Sequence, residues 1–242
     1  MSEFKLPTEV VELPSKGLLY SEESGLKSGK IEMKYMTARE EDILTNQSYI
    51  SKGTVLDKLM QSLIVSKIDY SSLLVGDKNA IMVAARILGY GSEYKFSYGG
   101  EDQIVDLSLI ENKEIDKSLF KEGNNKFEFT LPHSKNHITF KFLTHKDEKD
   151  IQRELDSLKK INKDASPELT TRLKYMITSV EGKTEIKDIR DFIDNYLLAK
   201  DSRALREHIK EIQPDVDLTF FPDGTEDRVS IPVGVNFFWP DV

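Results

Sequence analysis

GKIEMKYMTAREEDIL, residues 29–44, carries two signals in succession. Ile31, Met33 and Tyr35 alternate with Glu32 and Lys34, the period of two that marks a half-buried strand. Thr37 follows, with Glu40 three places on, the pairing that opens a helix. A strand therefore runs directly into a capped helix. The order returns at HITFKFLTHKDEKDI, residues 137–151. Shifted by 107 places, Ile31 falls on Ile138, Lys34 on Lys141, Thr37 on Thr144 and Glu41 on Glu148. Thr144 with Asp147 resembles the same helix start, although Asp is the weaker partner at that position.

Working outward, TVLDKLMQSLIV places Val55, Leu56, Leu59, Met60 and Leu63 on one face of a second helix. DKNAIMVAARILGYG predicts a third, with Ile81, Ala84, Ala85 and Leu88 inward and Gly89 or Gly91 as its stop. EYKFSYGGEDQIVDLSL predicts a hairpin: Tyr94, Phe96 and Tyr98 alternate, Gly99-Gly100 turns the chain, and Val105, Leu107 and Leu109 alternate back. The later chain repeats this order. TRLKYMITSV carries Leu173, Met176, Ile177 and Val180 at the spacing of Leu56, Leu59, Met60 and Leu63. At a shift of 124 places Leu197 falls on Leu73, Leu198 on Leu74, Asp201 on Asp77 and Ala204 on Ala80. The same shift puts Phe220 on Phe96, Gly224 on Gly100, Val229 on Val105 and Ile231 on Leu107. Amphipathic helices resemble one another, so the weight rests on the order of the five elements. The expectation is an α+β fold: an internal duplication of a strand–three-helix–β-hairpin unit, with small antiparallel sheets beside helices.

This reading divides the chain into an extended N-terminal arm (1–29), a first repeat (30–110), a polar linker (111–124) and a second, longer repeat with an apolar C-terminal tail (125–242). Pro7 and Pro14 break helices in the arm. In the second repeat, FEFTLPHSKNHITFKF predicts an added hairpin with Pro132 near its turn. EKDIQRELDSLKKI puts Ile151, Leu155, Leu158 and Ile161 on one face, too short a run for a coiled coil. Ser166 as N-cap with Pro167 at the first helical position starts the next helix.

The 242 residues are 38% hydrophobic and 31% charged, with a formal charge of −8 and no cysteine. Disulfides, thiolate zinc sites and cysteine nucleophiles are excluded. Acidic and basic residues interleave without a basic stripe, which argues against nucleic acid as a partner. No apolar run approaches the roughly 20 residues of a membrane span, and the N-terminus lacks a signal pattern. The expectation is a soluble protein made in the cytoplasm, with other proteins as partners.

The search for chemistry is negative. His133, His137, His145 and His208 are read as exposed or capping residues, and no metal site is expected. Gly182-Lys183-Thr184 resembles the end of a phosphate-binding loop, but Ile177 stands where that motif needs glycine, and the preceding segment reads as helix. Glu40-Glu41-Asp42 and Asp147-Glu148 sit in first helical turns, where negative charge complements the helix dipole. No nucleophile, base and orienter come together, so no enzyme, cofactor or small-molecule substrate is expected. Two apolar groups stand out as candidate partner contacts. Leu13, Leu18, Leu19 and Tyr20 lie in the arm and pack on their own domain or dock on a neighbour. Phe237, Phe238 and Trp239, the single tryptophan, lie beyond the repeated elements. They close the gap between the halves or anchor a partner.

LPSKGLLY, GKIEMKYMTAREEDILTN and VNFFWP together resemble the T4-type bacteriophage baseplate hub protein family of contractile-tailed phages. The likeness runs from the arm to the last residues, although the middle matches by layout more than by motif. It implies a non-enzymatic structural or assembly component of the central baseplate hub. It places that component in the virion tail after assembly in the host cytoplasm, with other hub or tail proteins as partners. The alternative is a transient assembly chaperone that leaves before the virion is complete. The family supplies no catalytic residues to carry over.

Overall fold

The computed structural model describes residues 6–161, 167–222, 225 and 227–238. It is a mixed α+β structure, with helices beside several small antiparallel sheets. The first departure from expectation is the arm. Thr8–Glu12 is a strand, β1, paired antiparallel with β2 (Lys30–Lys34) so that Val10 faces Glu32. The residues between them form successive tight turns rather than an extended tail. Leu13 closes the hairpin, its N–H donating to Gly29 O at 2.8 Å, and its side chain is wholly buried.

The hairpin read as an addition to the second repeat has the same form. β5 (Phe127–Thr130) pairs with β6 (His137–Phe140), and the Leu131 N–H donates to Asn136 O at 2.9 Å. Both connections begin Leu-Pro, and each places a lysine in the left-handed region: Lys16 at φ 51° and Lys135 at φ 63°. A hairpin of this form thus occurs in both the earlier and the later part of the chain.

Each hairpin leads into a capped helix, α1 (Ala38–Leu44) and, after a short α2 (Gln47–Ser51) and the rest of the first half, α5 (His145–Ile161). α3 (Val55–Leu63) buries Val55, Leu59, Met60 and Leu63 as expected. After it Ile64 bridges to Met33, and the Val65 N–H donates to Glu32 O at 2.8 Å.

The TRLKYMITSV segment is not helical throughout. α6 (Glu168–Met176) ends and β7 (Ile177–Val180) joins β6, with Ile177 opposite Phe140. β-branched Ile177, Thr178 and Val180 favour the pleated conformation, and an open edge of β6 offers the pairing. Ile177 therefore lies in a strand and not, as expected from its alignment with Met60, on a helix face. The segment ahead of the would-be phosphate loop is helix, as expected, and β7 occupies the positions where that loop would lie, so the structure departs from the motif in fold as well as at Ile177. Pro167 is the N-cap of α6 rather than its first helical residue; Ser166 lies outside the described residues.

α4 (Val75–Tyr90) ends at Gly91, whose φ of 85° stops the helix; Val83 is buried, while Ala84 and Leu88 are half-buried. β3 (Glu93–Tyr98) and β4 (Glu101–Asp106) form the expected hairpin. Gly99 and Gly100 both have positive φ (62° and 89°), as the two-residue turn matching strand twist demands. The strand stops earlier than its alternation implies. Asp106 accepts from the Ser108 N–H (2.9 Å) and opens a 3-10 turn at Leu107–Leu109, which buries Leu107 and turns Leu109 outward. In the second half α7 (Ile186–Asn195) precedes α8 (Ala199–Ile212), and β8 (Thr219–Phe220) pairs with β9 (Val229–Ser230). Gly224 lies outside the described residues.

One contiguous core contains residues of both halves, from Leu13 to Phe238. Segment 111–113 is not a free linker, because it runs beside residues 215–217: the Lys113 N–H donates to Asp215 O (2.8 Å) and the Asp217 N–H to Glu111 O (2.9 Å). Gly76 in the first turn of α4 lies so close to Pro214 that a Cβ there would meet its carbonyl oxygen at 1.9 Å.

Candidate functional site

Most residues singled out as partner contacts serve the chain's own interior. Leu13, Leu19, Tyr20, Phe237 and Phe238 are buried, and Leu18 is half-buried. The Phe237 ring meets Tyr94 edge-on at 4.8 Å and Phe238 at 5.3 Å. The Tyr94 hydroxyl donates to Pro232 O at 3.2 Å. The 3-10 turn Val235–Phe238 therefore packs the end of the second half onto β3 of the first. These buried side chains present no docking surface to a partner. Trp239 lies outside the described residues.

Tyr20 has a specific task. Its hydroxyl donates to Asp77 Oδ2 (2.6 Å) and accepts from the Leu74 N–H (2.9 Å). Asp77 also accepts from the Ser15 N–H (2.9 Å) and hydroxyl (2.7 Å). Burial pushes the Asp77 carboxyl above its ordinary value, against these donors. Asp201, matched to Asp77 in sequence, holds the other Leu-Pro turn: it accepts from the N–H groups of His133 (2.8 Å) and Ser134 (2.9 Å). Burial opposes its ionisation too, yet the His133 and Ser134 donors hold it below the usual carboxylate range.

The helix-start acids form a second pair of anchors. Glu40 Oε2 accepts from the Thr37 N–H (3.0 Å) and hydroxyl (2.7 Å), while Oε1 takes the Lys34 ammonium (2.9 Å) and the Ser62 hydroxyl (2.7 Å). Burial works against this carboxylate, but the Thr37, Lys34 and Ser62 donors outweigh it and pull its pKa down to about 2. In the second half Asp147 accepts from the Thr144 N–H (2.9 Å) and hydroxyl (2.8 Å) and from the Lys141 ammonium (2.7 Å). These carboxylates are occupied by local donors. Their arrangement holds strands to helices.

A further polar cluster sits where the halves meet. Val75 N–H donates to Leu143 O and His145 N–H to Leu73 O (2.7 Å), which joins the start of α4 to the start of α5. His145, expected to be exposed or capping, is only 3% exposed. Lys78 Nζ stands 3.2 Å from His145 Nδ1 and 2.7 Å from Asp57 Oδ1. Burial, and then the Lys78 charge, hold the His145 pKa below its ordinary value, so the ring is neutral at pH 7. With Nδ1 accepting from Lys78, the ring hydrogen sits on Nε2, which lies 3.4 Å from Asp57 Oδ2 and makes no hydrogen bond among the described residues. The Tyr70 ring covers it edge-on at 4.6 Å. Within the cluster His145 is buried, while Asp57, Tyr70 and Lys78 are each partly exposed.

The surface feature that the sequence reading missed is a mixed hollow, in which exposed apolar side chains stand beside Asp106, Glu111, Asp217 and Arg228. Ile104 (63% exposed), Leu109 (77%) and Phe221 (61%) line one hollow between β4, the 3-10 turn after it and β8. The alternation of β4 was a usable signal: with Val105 inward, Ile104 must face out. Among the described residues no group of three or more His, Asp or Glu side chains is placed to hold a metal, and no helix is long and apolar enough to cross a membrane. No protein-family model, curated protein or solved structure matches the chain.

Proposed function

We propose that this chain is a non-enzymatic structural subunit of the central baseplate hub of a contractile phage tail, acting through protein–protein contacts. The resemblance at LPSKGLLY, KIEMKYMTAREEDIL and VNFFWP supports this reading. The observation that carries its contact-making part is the grouping of Ile104, Leu109 and Phe221 on one exposed face. Apolar side chains clustered in this way mark interaction surfaces more often than scattered ones do. The test is a photo-reactive residue placed at Leu109 during infection. The reading expects adducts with other hub or tail proteins. Adducts only with unrelated host proteins, or none, would count against it.

The internal duplication belongs to the same proposal. Its support is the recurrence of paired bonds: Leu13 and Leu131 closing a hairpin, Thr37–Glu40–Lys34 and Thr144–Asp147–Lys141, and Asp77 and Asp201 each gripping a Leu-Pro turn. Superposing residues 8–106 on 127–230 in an experimental structure tests it. Equivalent placement of these pairs is the expected result, and unrelated chain paths would refute it.

A further inference from the structure

α5, α6 and α8 border a second hollow, of about 290 Å³, which shares no lining residue with the first. Leu143, Leu169, Leu173, Met176 and Ile209 form its walls, with Leu173 and Ile209 almost fully buried. It lies at the foot of the roughly 300–1,000 Å³ range of small-molecule pockets, a size better matched to an apolar side chain than to a cofactor.

Its rim is cationic although the chain as a whole is acidic. Lys113, Arg172, Arg206 and Lys210 border it, against two carboxylates, Glu148 and Asp215. Both carboxylates are engaged. Arg172 grips Glu148 through two bonds, at 2.7 and 3.0 Å. Asp215 accepts from Asn79 (3.0 Å) and from the Val216 N–H (2.8 Å). Arg206 and Lys210, four places apart on α8, share one helix face across the mouth. Arg206 Nε donates to Ser202 O (3.3 Å), while the neighbouring acid Glu207 is taken by Arg203 (2.7 Å). Among the described residues neither Arg206 nor Lys210 has an acidic ion-pair partner.

We propose that this hollow receives an apolar side chain of a partner protein, carried in a segment with acidic residues on both sides. The proposal rests on reading the chain as an assembly subunit that works by protein contacts. The apolar walls reward burial of one side chain, and the Arg206 and Lys210 charges select an acidic surrounding over a basic one.

The test uses the full chain with methyl labels on Met176, Leu173 and Ile209, titrated by NMR with an acetylated, amidated pentapeptide: a central Phe with two acidic residues on each side. Shifts at these methyls at millimolar peptide are the expected result. The response should fall about tenfold or more with Lys in place of the acids, with Ala in place of Phe, and in the Arg206→Glu, Lys210→Glu double variant. Those two residues lie on an exposed rim, and circular dichroism of the variant checks that it is folded. Equal response to the Lys-flanked peptide, no response, or an unchanged double variant would overturn the proposal. So would a response to decanoate alone, which assigns the hollow to a small amphiphile. If the peptide fails while the Leu109 adducts with hub proteins persist, only the hollow's assignment falls. If both fail, the hub reading falls with it.

Discussion

Glu40→Gln puts the helix-start anchor under direct test. The side chain is fully buried and accepts four donors: the Thr37 N–H and hydroxyl, the Lys34 ammonium and the Ser62 hydroxyl. Its pKa of about 2, against an ordinary 4.5, corresponds to about 3 kcal/mol of stability at pH 7. A second route gives a similar figure. Removing one partner of a wholly buried ion pair costs about 3–5 kcal/mol, and Lys34, whose side chain is 20% exposed, puts this pair at the low end of that range. The glutamine keeps an acceptor oxygen but no charge, so about 3 kcal/mol is expected. The sign of the pH effect follows from the depressed folded value. The contribution is complete above pH 4.5 and is lost as pH falls through about 2. Urea denaturation of both proteins from pH 7 downward measures it. The gap between them should narrow as the medium becomes acidic. A gap below about 0.5 kcal/mol at pH 7, the range of neutral surface changes, or one that is constant with pH, would refute the reasoning.

Tyr20→Phe removes the donor to Asp77 and the acceptor of the Leu74 N–H, both buried, and should cost about 2–4 kcal/mol in the same assay. Phe237→Ala should cost about 3–5 kcal/mol, since the ring is fully buried against Tyr94 and Phe238; near-wild-type stability would show that it packs elsewhere. His145 stays neutral in the folded chain below its ordinary pKa of 6.5, while the unfolded chain takes up a proton. Stability should therefore fall as pH drops from 6.5, by at most about 1.4 kcal/mol per pH unit from this group, and His145→Gln should remove that slope. Ile104→Asp, Leu109→Asp and Phe221→Asp should each leave stability within about 0.5 kcal/mol, while combining them abolishes incorporation into baseplates.

Much of the local structure was legible because it is written in short-range chemistry. Thr37 with Glu40, the Gly99-Gly100 turn and the apolar faces of α3 and α4 each declare themselves within a few residues. What sequence reading missed depends on distant partners. Thr8–Glu12 becomes a strand only because β2 lies beside it, and Ile177–Val180 leaves its helix because β6 offers an edge. The burial of Leu13, Tyr20 and Phe237 is likewise set by groups far along the chain: Gly29, Asp77 and Tyr94. α7 carried a readable face in Ile189, Phe192 and Ile193. Of the candidate interface, Ile104 was implied by its strand's alternation, whereas Leu109 leaves that alternation because Asp106 ends the strand through a side-chain bond.

The central claim is that the chain stays in the tail as a structural part. Quantitative mass spectrometry of purified virions tests it most directly. The account predicts this protein at a fixed whole-number ratio to the other hub proteins, with the ratio lost in the Ile104, Leu109 and Phe221 triple variant. Absence from purified virions, while baseplates still need the protein in order to form, would contradict the account and identify a transient assembly factor instead.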